Sequence, residues 1–206
     1  MKVLIACEES QAVCKEFRAL GHEAYSCDIQ ECSGGHPEWH LQVDALELLK
    51  MKWDLIIAHP PCTYMTNAGA VRMRVGGEIV KERFEKAMEA KKFFMEFYNH
   101  ECPRIAIENP TPMKLIGLPP YQQAIQPWQF GHPYSKRTCL CLKGLPPLMP
   151  TDIMAEHEPY VNGGCKDAHG NYLRFQGRKE RDPKTRSKTF PGIAHAMAEQ
   201  WGGKIL

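Results

Sequence analysis

Apolar residues follow two kinds of pattern along this chain. The runs Val3–Cys7 (VLIAC) and Leu55–Ala58 (LIIA) are short and unbroken. They lack the alternation of a half-exposed strand and predict strands buried on both faces, as in a parallel sheet. Elsewhere apolar positions recur at helical spacing. Val13, Phe17 and Leu20 predict a helix that Ser10 caps and Gly21 ends. Val80, Phe84, Ala87, Met88, Phe94 and Phe97 predict a long helix over Glu78–Tyr98, with lysines and glutamates opposite. A last amphipathic helix, Ile193–Trp201, is bracketed by Pro191 and by Gly202-Gly203.

The remaining elements fill in an α/β order. His22–Ile29 reads as a second strand ending in Asp28, and Leu41–Asp44 as a short element leading into a helix over Ala45–Met51. Arg104–Glu108 (RIAIE) is a further strand, and Trp128–Gly131 with Thr138–Lys143 reads as an antiparallel pair around a turn. In Thr138–Leu142, residues 138, 140 and 142 face one way and Cys139 and Cys141 the other. Gln30–Trp39, Thr63–Gly77 and Pro112–Pro127 read as loops, and Thr151–Lys188 as a long connection with little periodicity. Strands alternating with helices predict an open α/β fold whose chemistry lies at the carboxyl ends of the strands.

Composition narrows this picture only slightly. A chain of 206 residues is one domain by default and can bury a core without staples. A net charge of +2 says little about partners. The segment Arg174–Lys188 is different: it is rich in Lys and Arg, opposed only by Glu180 and Asp182. Such a patch can meet phosphates or be a solvated loop. Nine cysteines are an odd number, and no signal peptide leads the chain, so free thiols in a reducing, cytoplasmic setting are expected. No apolar run approaches the ~20 residues that span a membrane. Cys27, Cys32, His36 and His40 have loose spacings, and no metal is expected there.

Chemistry concentrates where strands stop. Leu55–Ala58 halts at His59-Pro60-Pro61, because proline cannot continue a ladder, and Cys62 follows at once. Arg104–Glu108 ends the same way, at Glu108-Asn109-Pro110. Cys62 alone could be one more small buried hydrophobe, and Glu108 a carboxylate in solvent. Lys136 and Arg137 add cations to the same rim. A thiol, a carboxyl group and a cation together suit covalent catalysis on a pyrimidine. The thiolate attacks C6, the carboxyl group hydrogen-bonds N3 where charge develops, and a cation assists near O2. C5 then becomes nucleophilic and can take a methyl group from a sulfonium donor.

The quoted residues resemble the DNA (cytosine-5) methyltransferases, in the manner of small phage and prophage members. Ala58–Gly69 (AHPPCTYMTNAG) is similar to that family's Pro-Cys nucleophile loop, Ile107–Pro110 (IENP) to its Glu-Asn motif, and Phe130–Arg137 (FGHPYSKR) to its aromatic-Gly segment. Thr189–Gly202 resembles its last motif. The resemblance implies a Rossmann-like S-adenosylmethionine-dependent methyltransferase fold, with a mostly parallel sheet, helices on both faces and a reduced target-recognition region. It implies a catalytic core over 1–144, a basic recognition region over 145–188 and a helix over 189–206 that returns to the core.

It also implies methyl transfer to C5 of cytosine in DNA, with Cys62, Glu108, Lys136 and Arg137 catalytic. Cys7, Glu8, Asp28, Ile29, Asp44, Pro60 and Ala194 would bind S-adenosylmethionine, Asp28 at the ribose and Asp44 at the adenine amine. Arg72, Arg74, Arg178, Lys179 and Arg181 would meet DNA, and the chain would act as a monomer. The first loop, CEESQAV, departs from the family in lacking glycines. Alternatives are C5 modification of a free pyrimidine nucleotide, a modified donor, adenine amino-methylation through the Pro-Pro loop, and a degenerate binding module.

Overall fold

The computed structural model of the chain describes residues 1–160 and 182–203. In chain order the strands are β1 (Lys2–Ala6), β2 (Glu23–Cys27), β3 (His40–Leu41), β4 (Leu55–Ala58), β5 (Arg74–Val75), β6 (Glu78–Ile79), β7 (Ile105–Asn109), β8 (Gln123–Ile125), β9 (Tyr134–Ser135), β10 (Thr138–Lys143) and β11 (Glu158–Pro159). The helices are α1 (Ala12–Ala19), α2 (Ala45–Leu48), α3 (Lys81–Tyr98), α4 (Pro183–Ser187) and α5 (Pro191–Met197). Seven strands form one sheet in the order β3-β2-β1-β4-β7-β10-β8. The pairs from β3 to β7 are parallel, and β10 is antiparallel to both its neighbours.

This is a Rossmann-like α/β fold with helices on both faces. α1 and α5 cover one face, where Val3, Ile5, Phe17, Ile57, Leu140 and Trp201 form a core. α2 and α3 cover the other, with Leu4, Ile56, Phe94, Phe97 and Ile107. Every residue of β4 is buried, as the unbroken apolar run requires. Strand order reverses between β1 and β4, so the crevice at this switch point opens beyond the carboxyl ends of those two strands. His59 donates its backbone N–H to Ala6 O at 2.9 Å, which keeps the two exits together.

Several expectations are corrected. Ser10 does not cap α1. Gln11 precedes the helix in a left-handed conformation (φ 58°), and the buried Glu8 carboxylate accepts the N–H groups of Val13 (2.7 Å) and Cys14 (3.2 Å). Trp128–Gly131 is not a strand: Pro127–Gln129 is a 3-10 turn in which Gln129 Oε1 accepts the Gln126 N–H at 2.7 Å. The true neighbours of β10 are β7 and β8, the latter drawn from a stretch expected to be irregular. The loop 63–77 is ordered as a 3-10 turn followed by the β5–β6 hairpin, so α3 begins at Lys81. Gly76 and Gly77 have φ of 59° and 90°, the backbone a two-residue primed hairpin turn demands.

Candidate active site

β4 and β7 are adjacent and parallel, so their proline-terminated ends deliver side chains to one place. Glu108 pairs across with Leu140, and Leu140 belongs to the α1/α5 face. The Glu108 side chain therefore stands on that face. His59 Nδ1 meets Glu108 Oε2 at 2.6 Å, and the two side chains are only 11% and 15% exposed. Next to them lies a small recess of about 10 Å³, lined by Glu108, Lys136, Thr138, Thr189, Phe190 and α5 residues.

Charges converge here from four segments. Burial would raise the Glu108 carboxyl, but the hydrogen bond and charge of His59, then Lys136 and Thr138, hold it below the usual carboxylate range. Burial would lower His59, but the Glu108 bond and charge, with Glu8 beyond, lift it above the usual histidine value. Both shifts run in the direction that favours an imidazolium beside a carboxylate. Burial pushes the Cys62 thiol up, Glu108 pushes it further, and Lys136 and Arg186 pull it down. Lys136 is itself fixed by donating to the Arg186 carbonyl at 2.7 Å.

The expected site residues divide into groups. Glu108 and Lys136 line the recess, and the charges of both act on the Cys62 thiol. Arg137 does not join them: it is exposed and donates to the Tyr121 hydroxyl at 3.0 Å. The alternation along β10 explains this, because Thr138 lines the recess while Cys139 and Tyr121 line a pocket on the α3 side. Cys7, Asp28 and Asp44 form a second group beyond β1, β2 and β3. Burial first, and then the charges of Asp28 and Asp44, push the Cys7 thiol far up. Asp28 accepts the Gln30 N–H at 2.9 Å, and Asp44 caps α2 by accepting from Leu46 N–H at 2.9 Å. Ile29 is 76% exposed, whereas Pro60 and Ala194 are buried.

Arg72 and Arg74 are exposed on the arm that holds the β5–β6 hairpin, beside Val71 and Val75, which are 87% and 72% exposed. Arg178, Lys179 and Arg181 lie outside the described residues. Cys27, Cys32, His36 and His40 are engaged separately, with Val43 O, Gln11, Trp39 and Ser26. Among the described residues no group of three or more His, Cys, Asp or Glu could hold a metal ion.

Sequence reasoning missed His59, Arg186 and the role of Thr138. His59 carried one signal: it directly precedes the Pro-Pro stop, at the first position beyond a buried strand. Cys7 and Gln11, at φ 60° and 58°, are the non-glycine residues with left-handed backbone among those described. They flank the glycine-free first loop and supply the turns that glycines would otherwise make.

No family model and no curated relative matches the chain. Solved structures do align with it. A prophage-encoded E. coli protein assigned as a DNA modification methyltransferase aligns at 15% identity and TM-score 0.45, covering 79% of this chain and 53% of that one. A methyltransferase of Entamoeba histolytica aligns at 13% and 0.47, covering 81% and 60%. A DNMT2 of Spodoptera frugiperda aligns at 14% and 0.39, covering 78% and 58%. The chain spans between half and two thirds of the length of these structures.

Proposed function

We propose that the chain transfers a methyl group from S-adenosylmethionine to C5 of cytosine in DNA, through a covalent bond between Cys62 and C6. The observation that carries this reading is that a buried carboxyl group, Glu108, and a fixed cation, Lys136, share one recess and that the charges of both act on the Cys62 thiol. Thiolate addition to a cytosine ring needs these three groups. Glu108 binds N3 and takes part in its protonation, and Lys136 offsets negative charge on the ring. Once Glu108 carries a proton, the charge that raises the Cys62 thiol is gone. Lys136 and Arg186 then have burial alone to oppose, so proton placement on Glu108 eases formation of the thiolate.

The residues beyond β1, β2 and β3 fit the methyl donor. The field at Cys7 is negative because Asp28 and Asp44 both act on it, which suits a sulfonium cation. Asp28, just beyond β2, would accept from a ribose diol, as strand-end carboxylates do in nucleotide-binding sheets. Asp44 keeps an acceptor for an adenine amine while it caps α2. When bound, the donor supplies an electrophilic methyl group. Arg72 and Arg74, on an arm that follows Cys62 directly, would contact DNA phosphates, and the base must leave the duplex to reach Cys62.

The test is the position of the label after incubation with methyl-labelled S-adenosylmethionine and duplex DNA, followed by digestion to nucleosides. Label in 5-methylcytosine is expected. Label in N6-methyladenine would replace this reading with amino-methylation, and no label in DNA or nucleotides would replace it with a binding role.

A further inference from the structure

His59 occupies a position that calls for explanation. It is the last residue before the two prolines that end β4, and its side chain is almost wholly enclosed. Its Nδ1 is bound to Glu108 Oε2 at 2.6 Å. The charge of Glu8 also acts on it; Glu8 is 5% exposed, with its oxygens tied to the first N–H groups of α1. Its Nε2 is buried and has no hydrogen-bond partner among the described residues. A neutral residue would pack at such a site without leaving an orphaned nitrogen, so the arrangement favours a group that holds a proton for a neighbour.

We propose that His59 is the positioning residue that sets the proton on Glu108: it holds that carboxyl group ionised at rest and returns the proton when a pyrimidine N3 docks. This rests on the proposed function. Cytosine N3 is an acceptor, so Glu108 must reach it as a carboxylic acid, and the resting carboxylate cannot donate. In the proposed step the Nδ1–H bond of His59 breaks, its electron pair stays on nitrogen, and an O–H bond forms on Glu108. The Cys62 S–H bond breaks with its proton released to water, and as the thiolate sulfur bonds to C6 the C5=C6 pair moves to C4–C5. The C4=N3 pair takes the proton from Glu108, which becomes a carboxylate again. When the thiolate leaves, N3 gives its proton back to Glu108 and so to His59.

The charged groups facing His59 come from separate elements: Glu8 after β1, Glu108 on β7 and Lys136 before β10. The carboxylates favour the imidazolium and Lys136 opposes it, in line with the raised His59 value. Glu8 keeps part of that stabilisation once Glu108 has turned to the base. His59 does not touch the reacting atoms and acts only through Glu108.

Two measurements test this. The first needs no substrate: long-range proton–nitrogen NMR follows the His59 ring in the wild type and in Glu108→Gln. The wild-type ring should titrate above the ordinary histidine value, with Nδ1 protonated throughout, and the variant should titrate at least one pH unit lower. A His59 that is neutral at pH 6, or that Glu108→Gln leaves unmoved, overturns the proposal. The second compares the pH profile of kcat/KM for the wild type and His59→Asn. Asparagine can still donate near the Nδ1 position but holds no proton. The alkaline limb should move to lower pH by at least one unit, because the proton must then reside on Glu108 alone. A profile scaled down but unmoved would mean a purely structural role. Should the wild type transfer no methyl group at any pH, the functional reading fails, while the NMR titration still decides where the proton rests.

Discussion

One edge of one sheet carries two polar groups of residues that are held in opposite ways. Beyond β1–β3, the carboxylates of Glu8, Asp28 and Asp44 accept backbone N–H groups from Val13, Gln30 and Leu46. Each is fixed by local chain geometry. Beyond β4 and β7, His59 and Glu108 are fixed by each other, across 49 residues of sequence. A group held by the backbone keeps its place whatever its neighbours do, and suits binding a ligand of constant charge. A group held by a titrating partner changes state with that partner, and suits a reaction in which protons move. The contrast separates a donor shelf from a chemical centre without reference to any bound molecule.

The largest break in this comparison is expected at the centre. His59→Leu leaves Glu108 buried without its partner, and loss of one member of a buried ion pair costs ~3–5 kcal/mol. The pH dependence has a definite sign. The folded value of His59 is raised, so its contribution is complete below the ordinary histidine value and fades as pH rises through the raised one. The folded value of Glu108 is lowered, so its contribution is complete above the ordinary carboxylate value and fades as pH falls through the lowered one. The stability difference between wild type and His59→Leu should therefore form a dome, highest between the ordinary values of 4.5 for the carboxyl and 6.5 for the imidazole. Denaturant unfolding from pH 4 to pH 9 measures it, and a difference that rises steadily with pH would contradict the pairing.

On the shelf the effects are smaller and local. Asp28→Ala should weaken S-adenosylmethionine binding by ~1.5–3 kcal/mol, the worth of a hydrogen bond to a charged group, with little change in stability. Asp44→Ala should also cost ~1 kcal/mol of stability, because it removes the cap of α2. Calorimetric titration beside thermal unfolding separates the two losses. Equal losses of binding and stability at both positions would erase the distinction between shelf and centre.

The smallest effect lies on the arm. Replacing Arg72 and Arg74 together by Ala should reduce the slope of log K against log salt by about 2 for DNA binding, close to 0.9 per phosphate contact. Stability should stay within ~0.5 kcal/mol, since both side chains are exposed. An unchanged slope would remove the arm from the DNA contact.

How much of this was legible in the sequence follows from the same contrast. Features written within a few residues were readable: the buried runs of β1 and β4, the proline stops after Ala58 and Asn109, and the facing of Thr138, Leu140 and Cys141. Two local signals pointed the wrong way or went unread. Trp128 and Phe130 favour strand, but Pro127 set a 3-10 turn there, and Gly76-Gly77 marked a hairpin inside a stretch expected to be a loop. The three residues of β8 are too few to show a period. Contacts that depend on the folded sheet left no local trace. The His59–Glu108 pair and the approach of Arg186 to Cys62 both join distant segments. The alternation along β10 already put Arg137 on the face of Cys139, away from Thr138.

The central claim is that Cys62 attacks a cytosine ring with Glu108 on N3. It is tested most directly with duplex DNA carrying 5-fluorocytosine, incubated with S-adenosylmethionine and the protein. Fluorine at C5 blocks the final proton loss, so the wild type should form a denaturation-resistant adduct whose mass is protein plus methylated DNA. Cys62→Ser should form none. Methyl transfer by the wild type without an adduct, or an adduct that survives Cys62→Ser, would contradict the account.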